Sequence, residues 1–209
     1  MSKPGLILIG AGGHAHACID VIEQHGHYEI AGLVGTPGEV HNRHLGYAVF
    51  ASDEDLPRLA KQFQFALITV GQIQSPERRI RLYEQATGLG FKLPGIVAPT
   101  AYFSHHATIG AGSVVMHNAV VNAGAIVGNN CIVNTRALVE HDAIVEDHCH
   151  ISTGAILNGD VRIGAGSFVG SGSVIKQGIS LGKGCVVGMG LSVRHRQADN
   201  ARFMGHAKS

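Results

Sequence analysis

The densest group of side chains able to do chemistry lies between Val139 and His150: Val139-Glu140-His141-Asp142, then Glu146-Asp147-His148-Cys149-His150. His141 stands between two carboxylates. An acid beside an imidazole fixes its tautomer and raises its basicity, which suits a general base. Neighbouring residues on an extended chain point to opposite faces, so spacing alone leaves Glu140 and Asp142 as alternative partners. The bland alternative is a solvated acidic corner with incidental histidines. A zinc centre is a further reading, since β-helical carbonic anhydrases of the gamma class carry one at subunit boundaries. His141, His148 and His150 lack the His-x4-His spacing of those enzymes, and no cysteine is free to help, so no metal is expected.

A second candidate is the run Ile9-Gly10-Ala11-Gly12-Gly13-His14-Ala15, which follows an apolar strand and opens a helix. Read as G-x-G-x-x-A it is a dinucleotide fingerprint, but the acid that should hold a ribose about 20 positions on is missing. The second strand ends instead in Leu33-Val34-Gly35-Thr36. A redox nicotinamide site is therefore disfavoured. A Gly-rich turn at a helix N-terminus still makes a cradle for a diphosphate, and backbone need alone also explains the glycines.

Two kinds of element must position these groups. Over residues 1–99 the pattern alternates strand and helix: Leu6–Ile9, a stripe of Cys18, Val21 and Ile22, then Ile30–Val34. Ser52 with Asp55 predicts a helix cap, followed by Leu56, Leu59 and Ala60; Phe65–Val70 predicts a third strand, Ser75-Pro76-Glu77 a further helix, and Phe91–Val97 a last strand. This is the pattern of a small parallel sheet, a Rossmann-like α/β domain. Within 100–209 the period changes to six. An aliphatic residue recurs at every sixth position from Ile109 to Val193, and a small or compact one follows four places later, as at Ser113, Ala119, Ala125 and Cys131. That is the hexapeptide repeat of a left-handed parallel β-helix, in which the aliphatic residue fills a triangular prism and the small one fits its corner. Cys131, Cys149 and Cys185 take the small position and Cys18 the helix stripe, so all four cysteines read as inert packing thiols.

Composition narrows the function classes. Of 209 residues, 29 are Gly and 14 His, 45% are hydrophobic, and the formal net charge is +1. No basic footprint for nucleic acid or an anionic membrane is present, and no apolar run reaches the ~18 residues of a membrane span. The opening residues lack the layout of a signal peptide, and the cysteines show no disulfide pattern, so a cytoplasmic setting is expected.

The segments GAGGHAHACIDVI and NTRALVEHDAIVEDHCHIS, joined by an α/β domain and hexapeptide repeats, resemble the PglD/NeuD-like sugar acyltransferases. The similarity spans nearly the whole chain and is most specific from Asn134 to Gly159. It implies a homotrimer of bacterial surface-glycan biosynthesis that uses acetyl-CoA to acetylate the amino group of a nucleotide-linked sugar. It further implies that His141 is the base, that Asp142 tunes it, that His150 lies near the acetyl group, and that the backbone of Gly159 faces the thioester oxygen. Gly159 follows His141 by 18 residues, one coil, so the two should stack. Acetyl-CoA is expected along the Gly-rich late coils, at Gly170, Gly188 and Gly190. The nucleotide sugar is expected at Gly12, Gly13, His14 and Asn134, and at Gly35 and Thr36, where the family often carries an acidic pair that helps hold the base. The family's C-terminal Gly-x-Pro-Ala-Lys is replaced by Gly205-His206-Ala207-Lys208. The alternatives are O-acetylation of a sialic-type sugar with the same base, a zinc lyase, and a non-catalytic nucleotide-sugar binding protein.

Overall fold

The computed structural model describes residues 2–205. The N-terminal sheet comprises β1 (Gly5–Ile9), β2 (Glu29–Gly35), β3 (Arg43–His44), β4 (Tyr47–Ser52) and β5 (Phe65–Ile68), in the spatial order β3-β4-β2-β1-β5. Strands β1, β2, β4 and β5 run parallel. The α/β sheet is nonetheless mixed rather than wholly parallel, because β3 pairs antiparallel with β4. The hairpin turn is Leu45-Gly46, both at positive φ (48° and 91°). Such a two-residue turn usually announces itself as Asn-Gly or Asp-Gly, and a leucine there hides it.

Helix α1 (Gly13–His25) buries Ala15, Cys18, Ile19, Val21 and Ile22 against the sheet, and Gly26 at φ 75° ends it in the left-handed conformation. Ser52 and Asp55 form the expected capping box, but over a 3-10 turn at Asp53–Asp55 that precedes a short α2 (Leu56–Leu59). Helix α3 (Glu77–Gly88) follows Pro76, its N-cap.

From Ile96 onward the chain forms two-residue strands stacked in three parallel sheets, the faces of a prism. The domain-facing face runs from Ile96–Val97 through His150–Ile151 and Phe168–Val169 to Arg202–Phe203. The second face runs from Tyr102–Phe103 through Leu138–Val139 to Ser192–Val193. The third runs from Thr108–Ile109 to Ser180–Leu181. Inner positions such as Val121, Val139, Leu157 and Ile175 are fully buried. The corners explain the turn residues. From Gly112 to Gly190 every sixth residue has positive φ, filled by Gly or by residues such as Asn118, Asn130, Asp142 and Asp160. The small-position cysteines are buried, each donating S–H to a corner carbonyl, as Cys149 does to Gly164 at 3.2 Å. The prism register begins earlier than Ile109: Ile96–Val97 pairs with Val114–Val115. Of the last strand expected in the α/β domain, only a bridge between Lys92 and Phe65 joins the N-terminal sheet.

Candidate active site

His141 and Asp142 lie at the corner between the second and third faces, and both are well exposed (54% and 68%). Asp142 occupies the left-handed corner position, φ 60°, which suits Asp and turns its short side chain back on the preceding residue. Its Oδ2 accepts from His141 Nδ1 at 2.9 Å. Glu140 is engaged elsewhere: its Oε2 accepts from Asn122 Nδ2 and from the His141 main-chain N–H, both at 3.0 Å. Local geometry thus resolves the two alternatives, with Asp142 on the ring and Glu140 on the backbone. The Asp142 hydrogen bond, more than the charges of Asp142, Glu140 and Asp160, holds the imidazolium above the ordinary histidine range. With Nδ1 tied to Asp142, Nε2 is the nitrogen left to take a proton.

Gly159 lies directly against this ring, and a Cβ placed there would stand 2.5 Å from His141 Nε2. At the equivalent position one coil earlier, Glu140 accepts the following main-chain N–H. Asn158 instead turns away to donate to Ile175 O at 2.7 Å. The Gly159 N–H has no partner among the described residues.

Most of the other sequence-identified residues gather at a different corner. A cavity of about 810 Å³ lies between the α/β domain and the prism, lined by Gly12, Gly13 and His14 on one side and by Asn134, His150, Gly170 and Gly188 on the other. Gly12 caps α1 without any side-chain hydrogen bond, and a Cβ at Gly12 or Gly13 would meet nothing. An open helix N-terminus faces the cavity.

The two cavity histidines are neutral. Burial, with Arg79 adding to it, lowers His14 to about 3 and His150 to about 4, against a bond from Gln72 that works the other way on His150. His150 Nδ1–H donates to the Gln72 carbonyl at 2.5 Å, and Asn134 Nδ2 lies 3.1 Å from Nε2. Asn134 is oriented by its Oδ1, which accepts from Thr135 N–H at 2.8 Å. Burial pushes the Cys18 thiol up to about 12, so it remains S–H and faces His14 Nε2 at 3.4 Å.

Two expectations land elsewhere, and a third lies outside the described residues. Gly35 and Thr36 do not line the cavity; Thr36 donates its N–H and hydroxyl to Glu39 Oε2 at 2.7 and 2.8 Å, and Glu39 is the residue of that turn that reaches the cavity. Glu39 stands four residues past Gly35, at the end of the 3-10 turn Pro37–Glu39. Gly190 sits at a corner next to Met189, and Met189 rather than Gly190 lines the cavity. The tail from His206 onward lies outside the described residues. Sequence reasoning missed Gln72, Arg78, Ser152, Phe168 and Arg202, all on the cavity wall. Only the tertiary fold brings them together, and no local motif marks them. His141, His148 and His150 diverge: His148 packs edge-on against Tyr83, and His150 against Phe168.

Family models described as the PglD N-terminal domain and the hexapeptide repeat of succinyl-transferase match residues 5–86 and 160–194. The acetyltransferase domain of PglB from Neisseria gonorrhoeae FA1090, solved with acetyl coenzyme A, is 33% identical over 98% of this chain and 97% of that one, with a TM-score of 0.89. This chain belongs to the PglD-like sugar acetyltransferases. Another similar structure is the GDP-perosamine N-acetyltransferase of Caulobacter crescentus, a histidine-to-alanine variant with CoA and GDP-perosamine. It is 28% identical, covers 98% of this chain and 95% of that one, and has a TM-score of 0.91. WeeI from Acinetobacter baumannii AYE, 20% identical over 97% of each chain with a TM-score of 0.84, shares the fold. No curated protein sequence matches this PglD-like chain. No helix among its described residues is long and apolar enough to cross a membrane.

Proposed function

We propose that this PglD-like protein transfers the acetyl group of acetyl-CoA to the amino group of a nucleotide-linked amino sugar, with His141 as general base. The observation that carries the reading is the couple of Asp142, His141 and Gly159, with a bare Nε2 beside an unpartnered main-chain N–H. The sugar amine attacks the thioester carbonyl, the C–N bond forms, and the amine proton passes to His141 Nε2. The Gly159 N–H donates to the oxyanion. Collapse breaks the C–S bond, and CoA leaves as a thiol carrying the proton from His141. Asp142 holds the imidazole in the tautomer whose Nε2 is free and stabilises the imidazolium that forms.

The cavity volume is of the size that nucleotide ligands occupy. The open N-terminus of α1 at Gly12 and Gly13 takes the diphosphate, with Arg78 on the same wall. The acyl donor runs along the late coils at Gly170, Gly188 and Met189. Acetyl-CoA as donor fits a cytoplasmic reaction.

His141 and the cavity flank opposite ends of the second face, so one protomer does not complete the site. The outward side chains of that face include an apolar column in which Tyr102 is exposed and Val120, Leu138, Ile156 and Val174 are half-buried. Copies that turn this face toward a common three-fold axis bring the His141 corner of one against the cavity corner of the next, a contact that closes into a ring. The active form is therefore a homotrimer with a site at each boundary. Acetyl-CoA turnover measured against a panel of nucleotide-linked amino sugars tests the reading: acetylation of one of them supports it, and activity confined to sialic-type hydroxyls contradicts it.

A further inference from the structure

Arg79, on α3, is 1% exposed, and no carboxylate lies within ion-pair distance of it among the described residues. Its guanidinium is satisfied by main-chain carbonyls. Nη1 donates to Ile68 O at 2.7 Å and to Val70 O at 2.8 Å; Nε donates to Asn130 O at 3.2 Å, and Nη2 reaches Gly112 O at 3.4 Å. The geometry divides the fork in two. Ile68 and Val70, two apart on the edge strand β5 and the turn after it, have carbonyls that no sixth strand covers. Gly112 and Asn130 are corner residues one coil apart on the prism, both at positive φ. One planar group thus joins the end of β5 to two successive coils, which an ammonium with three donors on a flexible stem does not reproduce. Two residues after Val70, the Gln72 carbonyl accepts from His150 Nδ1, and Gln72 Nε2 donates to Gly166 O at 3.2 Å. This loop forms the cavity wall.

We propose that Arg79 is a positioning residue for acetyl transfer: it fixes the loop after β5 on the prism so that the Gln72 carbonyl takes the Nδ1–H of His150 and turns Nε2 toward Asn134. The inference rests on the acetyltransferase reading for its kinetic consequence and is independent of it for the tautomer. Burial keeps the cavity histidines neutral, and the Arg79 charge adds to it at both His14 and His150.

The test is histidine-nitrogen NMR with steady-state kinetics on the full-length wild type and on Arg79→Lys. Wild-type His150 is expected as the Nδ1–H tautomer. Arg79→Lys is expected to mix the tautomers and to lower kcat about 10²-fold, with KM for both substrates nearly unchanged. Wild-type tautomer and kcat in a folded Arg79→Lys, with only a lower Tm, would overturn the proposal. Should that variant fail to fold, arginine-nitrogen spectra of the wild type decide. Restricted guanidinium rotation together with Nδ1–H on His150 supports the proposal, and free rotation or an Nε2–H tautomer overturns it. If no amino sugar is acetylated, the function reading fails while the tautomer result still judges Arg79.

Discussion

The imidazole of His141 lies against the backbone of Gly159, one coil further along the prism, so closely that a single methyl group at residue 159 would stand 2.5 Å from Nε2. Gly159 is thus required by the ring beside it rather than by its own turn. Gly159→Ala should push the imidazole aside and lower kcat by about 10²-fold, since displacement of a catalytic group by about 1 Å costs that much. The prism core is untouched, so Tm should change little. Kinetics and a melting curve on the same preparation check both halves.

The Asp142 hydrogen bond raises the His141 pKa above the ordinary 6.5. The reaction needs the deprotonated ring, so kcat/KM should rise with pH through an inflection above that value. Asp142→Asn keeps a residue that tolerates the left-handed corner but removes the charge. The inflection should then move to lower pH while the plateau rate falls. A profile whose inflection does not move would show that Asp142 does not tune the base.

How far the sequence carried the account depends on the range over which each feature is determined. The six-residue period is local, since each inner residue sees the same environment one turn later, and Val121, Leu157 and Ile175 follow it without interruption. The stacking of His141 on Gly159 came from the same arithmetic. The β3–β4 hairpin was invisible because Leu45 takes a positive φ that leucine seldom adopts. The cavity was half legible. Gly12, Gly13 and His14 sit on a recognisable turn, whereas Gln72, Arg78 and Phe168 meet only when the α/β domain rests on the prism. The nucleotide-base expectation at Gly35 and Thr36 failed to allow for a turn that brings Glu39 back to the cavity.

His14 and His150 are held below their unfolded values, to about 3 and about 4. The unfolded chain therefore binds more protons than the folded one in the window between those values and about 6.5, and stability is lost as the pH falls through it. The slope is about 1.4 kcal/mol per pH unit for each group. Melting temperature should drop between pH 7 and pH 5. His150→Gln, if it folds, should flatten that dependence.

The composite site predicts complementation. Leu138→Arg places a charge in the apolar column of the second face and should yield inactive monomers, read by sedimentation. His141→Ala protomers refolded together with protomers bearing a bulky substitution at Gly188 on the cavity wall should regain part of the activity, because some boundaries then pair an intact base with an intact cavity. Absence of recovery would place base and cavity within one chain.

The central claim is met most directly by thiol release from acetyl-CoA, measured with UDP-, dTDP- and GDP-linked 4-amino sugars for the wild type and His141→Ala side by side. Turnover on one amino sugar, reduced about 10²- to 10⁴-fold in the variant, is the predicted result. Equal turnover by both proteins, or none on any amino sugar with turnover on a sialic-type hydroxyl, would contradict it.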